Sequence, residues 1–141
     1  MTPISNGFQS SRFVRCRRAG SGHLIFIVLQ GWMIQIPQLT VEQVKEKIDK
    51  KENFSLIDVR EENEYETCRI ENSILIPLSE FAKRALNELK ADDEIVIHCH
   101  HGGRSQKACE YLAGQGFKKV ANMAGGIDQW SLEIDSKVPR Y

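Results

Sequence analysis

The sequence predicts an α/β domain built on a mainly parallel sheet, and two observations carry that prediction. Short apolar runs recur along the chain: Phe54–Val59, Ser73–Ile76, Glu94–His98 and Lys119–Met123. Between them lie amphipathic segments with helical spacing. Runs too short for helices and buried on both faces, separated by helices, are the pattern of a parallel sheet. In such sheets ligands bind beyond the carboxyl ends of the strands, which directs attention to the residues just after His98.

Each element has a local reason. Thr40 and Gln43 are placed for a capping box, with Leu39 and Val44 positioned as a hydrophobic staple. Val41, Val44 and Ile48 then fall on one helical face. The polar stretch from Glu61 to Thr67 reads as a short helix. Pro77 stops the strand Ser73–Ile76. Ser79 is expected to cap a helix whose inner side carries Phe81, Ala85, Leu86 and Leu89. Asp92-Asp93 marks a turn before the strand ending at His98. Ser105–Ala113 reads as a helix, with Gly114 and Gly116 as end signals. Gly125-Gly126 turns into a last helix around Trp130.

Composition bounds what such a domain does. The chain has 141 residues, with 19 basic and 19 acidic side chains and 41% hydrophobic residues. That is one domain's length, enough to bury a core. Zero net charge gives no global reason to bind nucleic acid, and no apolar stretch is long enough to span a membrane. Four cysteines in a chain with its own core fit an intracellular, cytoplasmic protein better than a disulfide scaffold. The neutrality hides an asymmetry. Residues 1–32 hold Arg12, Arg15, Arg17 and Arg18 and no acid, so residues 33–141 carry −4. That basic segment is read as a disordered or non-native extension, rather than a targeting segment or a functional arm. Its apolar run, Leu24–Leu29, is shorter than a signal peptide requires. The domain is then placed at residues 33–141.

The chemistry is concentrated in Ile95-Val96-Ile97-His98-Cys99-His100-His101-Gly102-Gly103-Arg104-Ser105. A cysteine follows a buried strand, and four residues separate it from an arginine where a helix opens. Gly102 and Gly103 permit backbone conformations that other residues resist. A loop curling back over Cys99 can aim several N–H groups at its sulfur. The helix dipole and the Arg104 charge add to this. All three favour thiolate over thiol and prepare Cys99 as a nucleophile. Tyrosine phosphatases place five residues between cysteine and arginine. The four here make a narrower bowl, suited to an added sulfur atom rather than a tetrahedral phosphate.

The segment Cys99-His100-His101-Gly102-Gly103-Arg104-Ser105 resembles the active-site loop of the rhodanese (sulfurtransferase) family, Cys-x-x-Gly-x-Arg followed by Ser. Asp58-Val59-Arg60 with Glu64-Tyr65, the stretch Ile70 to Ile76-Pro77, Gly116-Phe117 and Gly125-Gly126-Ile127…Trp130 are similar to other segments of the family, in the same order. Together they span about residues 36–135. The resemblance implies one rhodanese-like domain with a sheet of about five strands and helices on both faces. It further implies a Cys99 persulfide, formed from thiosulfate or another small sulfur donor. The acceptor would be cyanide in assays, and a small thiol or protein in cells. The loop from His100 through His101, Gly102 and Gly103 to Arg104 would hold the persulfide and the donor. Neither a metal nor an organic cofactor is implied. The chain departs from the family at Cys68-Arg69-Ile70-Glu71-Asn72-Ser73, where Gly-His-Ile-x-Gly-Ala is usual, which points to a local backbone change.

Other residues are read alongside these. Asp58 is expected to brace the Cys99 loop by accepting amide hydrogen bonds, and Arg60 to pair with Glu64 across a short helix. Ser105 supports the loop. Cys109, Phe117 and Trp130 read as core. Cys68 lies in a stretch that the resemblance puts near the active-site side, where it could serve as a resolving thiol. Adjacent strand residues point to opposite faces, so His98, Cys99, His100 and His101 do not converge as metal ligands. The two loop histidines are instead assigned to the rim or to proton transfer. A phosphatase or arsenate-reductase-like enzyme and a non-enzymatic docking module are the competing functions.

Overall fold

The computed structural model describes residues 34–141; the extension read at 1–32 lies outside the described residues. The elements run β1 (Gln38–Leu39), α1 (Val41–Asp49), β2 (Ser55–Asp58), α2 (Glu62–Thr67), β3 (Ile74–Leu75), α3 (Phe81–Glu88), β4 (Ile95–His98), α4 (Gly103–Gly114), β5 (Val120–Met123) and α5 (Gly126–Glu133). The five strands form one sheet in the order β1-β5-β4-β2-β3, and every pairing is parallel. β4 sits in the middle, in register with β2 so that His98 faces Asp58.

Alternation along the strands sorts the core into two layers. On one face Ile57, Val59, Ile95, Ile97 and Cys99 pack against Phe81 and Ala85 of α3 and against Ala108, Cys109 and Leu112 of α4. On the other face Leu56 and Val96 pack with Val41 and Val44 of α1, Ile127 and Trp130 of α5, and Cys68 and Ile70. Cys99 therefore points toward α4, and Cys68 belongs to the opposite layer.

The Thr40 capping box forms as expected: the Gln43 amide donates to Thr40 Oγ1 at 3.2 Å and the Thr40 amide to Gln43 Oε1 at 2.8 Å. Ser79 does not cap α3. That helix begins at Phe81, and the Ser79 hydroxyl donates to Glu61 at 3.0 Å instead. Leu86 is 44% exposed rather than inward, because α3 buries only the narrower stripe of Phe81 and Ala85. The departure at Asn72 leaves a turn intact: Asn72 adopts a left-handed φ of 63°, which asparagine tolerates better than other side-chain-bearing residues. β1, a two-residue edge strand against β5, carries no pattern long enough to read from sequence.

Candidate functional site

The loop after β4 wraps Cys99 from both sides. Gly102 takes a φ of 109°, open to glycine, and this turns its amide back onto the Cys99 sulfur at 3.0 Å. α4 starts at the next residue, so its N-terminal dipole opens toward the sulfur. A second helix holds the loop's outer face. At the start of α5, the Ile127 amide donates to the Cys99 carbonyl at 2.9 Å and the Asp128 amide to the His100 carbonyl at 3.1 Å. Gly126 is the residue that allows this approach: with φ of 61°, a Cβ there would overlap the Cys99 and His100 carbonyl oxygens.

Cys99 is 1% exposed. Burial pushes its thiol up, but hydrogen bonds from the Ser105 hydroxyl and from the Ser105, Gly102 and His101 amides outweigh burial, and the net shift is downward. Cys109, on the same face, goes the other way: burial raises it to about 12. The Ser105 hydroxyl lies 3.4 Å from the Cys99 sulfur, 3.1 Å from the Gly102 carbonyl and 2.6 Å from Asn122 Oδ1. Gly103, in contrast to Gly102, has no left-handed backbone and serves as the first helical residue of α4.

Arg104 stands at the rim but is not a free cation. It makes a two-pronged pair with Glu64 of α2, at 2.7 and 2.8 Å. Arg104 holds the Glu64 carboxyl at about 2, with burial opposing and the Glu61 amide and Tyr141 hydroxyl assisting. Glu64 thus faces Arg104 rather than Arg60, which corrects the expected helical pair. Arg60 is fully buried and instead grips Asp58, with guanidinium–carboxylate contacts of 2.7–3.1 Å. It also donates to the carbonyls of Glu64 and Cys68, at 3.3 and 2.7 Å. Asp58 consequently accepts from Arg60, backbone and side chain, and not from the Cys99 loop amides. Burial leaves His98, 3.7 Å from Asp58, with a lowered pKa, so it is neutral at pH 7.

His100 and His101 form one side of the rim. Their rings lie 4.0 Å apart, and His101 is largely exposed. Burial, then the neighbouring His101, lowers His100. Tyr141 stacks on His100 with ring centres 4.3 Å apart and planes 11° from parallel. Its hydroxyl accepts from Arg60 at 2.9 Å and donates to Glu64 at 2.9 Å. Arg140 pairs with Asp128 at 2.8 Å. Sequence reading did not find Tyr141, which lacks any local motif. Asn122 was findable: it is a polar residue in the apolar run of β5, and it is buried. Cys68 is buried in the layer across the sheet from Cys99, its sulfur 3.7 Å from Arg60, which argues against the resolving role that the sequence left open. Among the described residues no group of three or more His, Cys, Asp or Glu side chains is arranged to hold a metal ion.

Comparison with known proteins bears on this arrangement. Residues 40–133 match the family model described as a rhodanese-like domain. The putative sulfur carrier protein YrkF of Bacillus subtilis is 46% identical over 96 residues, which cover 68% of this chain and 51% of that protein. The chain thus spans about half of that relative's length. The thiosulfate sulfurtransferase GlpE of Pseudoalteromonas translucida is 34% identical, with 72% of this chain and 95% of that protein covered. Among solved structures, a rhodanese-related protein from Thermoplasma volcanium aligns with a TM-score of 0.61 at 31% identity, covering 73% of this chain and 95% of that one. With the parallel sheet, the cysteine-to-arginine loop after its central strand and these likenesses together, the chain belongs to the rhodanese-like family of sulfurtransferase-related domains.

Proposed function

We propose that this protein is a sulfurtransferase that carries a sulfane sulfur on Cys99, taking it from thiosulfate or another small donor. The supporting observation is the buried Cys99 sulfur, with the Gly102 amide at 3.0 Å and the N-terminus of α4 opening onto it. In the first step the Cys99 thiolate attacks the outer sulfur of thiosulfate. The S–S bond of the donor breaks, sulfite leaves with the electron pair, and Cys99 holds a persulfide. In the second step a thiophilic acceptor attacks the outer sulfur and Cys99 leaves as thiolate. Cyanide would become thiocyanate, and a small or protein thiol would become a persulfide. The loop from His100 to Arg104 holds the anionic sulfur, and an anionic donor competes with Glu64 for Arg104. Ser105 holds the loop directly, and the Arg60–Asp58 pair supports it at one remove, through the Arg60 bond to Tyr141, whose ring stacks on His100. Each protein-borne group in this scheme belongs to residues 33–141 acting as one domain, with residues 1–32 as an extension and the cytoplasm as the setting.

Intact mass spectrometry after thiosulfate treatment tests this reading. One sulfur mass should be gained, removed by reductant, and absent from Cys99→Ser. No gain with thiosulfate or with a polysulfide donor would overturn it.

A further inference from the structure

Ser105 has one hydroxyl proton and three oxygen or sulfur neighbours that could take it. The nearest is Asn122 Oδ1 at 2.6 Å, followed by the Gly102 carbonyl at 3.1 Å and the Cys99 sulfur at 3.4 Å. Which way the Asn122 amide faces is fixed from behind. Its Nδ2 donates to Gln38 Oε1 at 2.8 Å and toward the Gly102 carbonyl at 3.3 Å. Gln38 in turn donates to the Ile36 carbonyl at 3.1 Å and to Gln106 Oε1 at 2.7 Å, and Gln106 donates to Glu110 at 2.9 Å. Two backbone carbonyls and a carboxylate accept only, so each amide along this chain must present its NH2 outward and its oxygen inward. The inward end is the Asn122 oxygen on Ser105, and both residues are buried.

We infer that Asn122 is a positioning residue for Cys99: its amide oxygen competes with the sulfur for the single Ser105 proton. With the proton on the Asn122 side, a Ser105 lone pair faces the sulfur and accepts S–H, which favours the thiol. With the proton turned to the sulfur, the thiolate or persulfide anion gains a donor, and Asn122 Oδ1 is left against the Ser105 oxygen with no proton between them. The loop amides therefore activate Cys99 unopposed, while Asn122 draws on the one further donor the sulfur uses, the Ser105 hydroxyl, and so limits that share of the activation. Polarisation along the chain of amides strengthens the hold. The inference concerns the reactivity of the thiol and goes beyond what it carries.

The test is the pH profile of Cys99 alkylation by iodoacetamide, read by mass at residue 99 in the full chain. Asn122→Val removes the nearest competing oxygen, leaves the Gly102 carbonyl at 3.1 Å in place, and keeps a strand-forming residue. Its midpoint should fall by about one unit, and the rate below the midpoint should rise about tenfold. Gln38→Ala, at an exposed position of β1, frees the Asn122 amide to turn, and should give a rise of about two- to threefold. In a Ser105→Ala background both substitutions should change the rate less than about twofold, because the contested proton is gone. The other charged or titratable groups around Cys99 stay in place: His98 on β4 with Asp58 of β2, His100 and His101 in the loop, Arg104 of α4 with Glu64 of α2, Cys109 of α4, and Asp128 of α5. An unmoved or raised midpoint in Asn122→Val and Gln38→Ala, or an equal shift with and without Ser105, overturns the inference. Alkylation does not involve sulfur donors, so a protein that alkylates as described but takes up no sulfur faults the proposed function and leaves this inference standing.

Discussion

Replacing Gly126 by alanine is the sharpest test of how the Cys99 loop is held. Gly126 has a left-handed φ of 61°, and an added Cβ would meet the backbone of Cys99 and His100, which cannot move aside as a side chain can. The left-handed backbone costs alanine about 1–2 kcal/mol. Forcing the loop outward costs about 1–3 kcal/mol more. The displacement also loosens the Ile127 and Asp128 amide bonds to the loop, each about 1 kcal/mol. Together these come to about 4–7 kcal/mol, a large part of the 5–15 kcal/mol typical of a folded domain. Gly103→Ala is the matched control. Its backbone is helical and no atom lies within 4 Å of the added Cβ, so stability should be unchanged or rise by up to about 1 kcal/mol. Urea unfolding of the two variants beside the parent measures both. A Gly126→Ala protein within about 1 kcal/mol of the parent, or a Gly103→Ala protein equally destabilised, would refute this account of the loop.

Other expected outcomes follow from the charges and the rim. Arg60→Leu strands the buried Asp58 carboxylate and should cost about 3–5 kcal/mol in urea unfolding, with partial recovery when Asp58 is also made Asn. Glu64→Gln frees Arg104 from its anionic partner, so the KM for thiosulfate should fall by about two- to tenfold in a thiocyanate assay. The same substitution bears on acid stability. Glu64 is held at about 2 when folded, below its ordinary 4.5, so it stabilises fully above about pH 4.5 and that contribution is lost as pH falls toward 2. Glu64→Gln should flatten the stability profile in that window, as followed by urea midpoints. Tyr141→Ala removes the ring stacked on His100, and should speed modification of Cys99 by a bulky maleimide several-fold while changing iodoacetamide little.

The sequence made the alternation of strand and helix legible because both periods are strong: the apolar runs at β2, β4 and β5 are buried on two faces, and the Thr40 cap is a local motif. The loop was legible because its chemistry lies in seven consecutive residues. What was hidden depends on residues far apart in the chain. Glu64 and Arg104 are forty positions apart, and Glu64 lies beside Arg60 in sequence, yet Arg60 is drawn inward by Asp58. Tyr141 reaches His100 through tertiary folding that no local pattern announces. Ser79 had a good capping residue's identity, but Glu61 offered it a carboxylate.

The placement of the sulfurs decides how this protein fares under oxidation. A sulfenic acid formed at Cys99 would find Cys68 in the opposite layer, and Cys109 locked as a thiol with its pKa near 12. Among the described residues, then, no internal disulfide can trap the oxidised state. Its rescue falls to a thiol from outside these residues, and delay exposes Cys99 to the irreversible sulfinic and sulfonic acids.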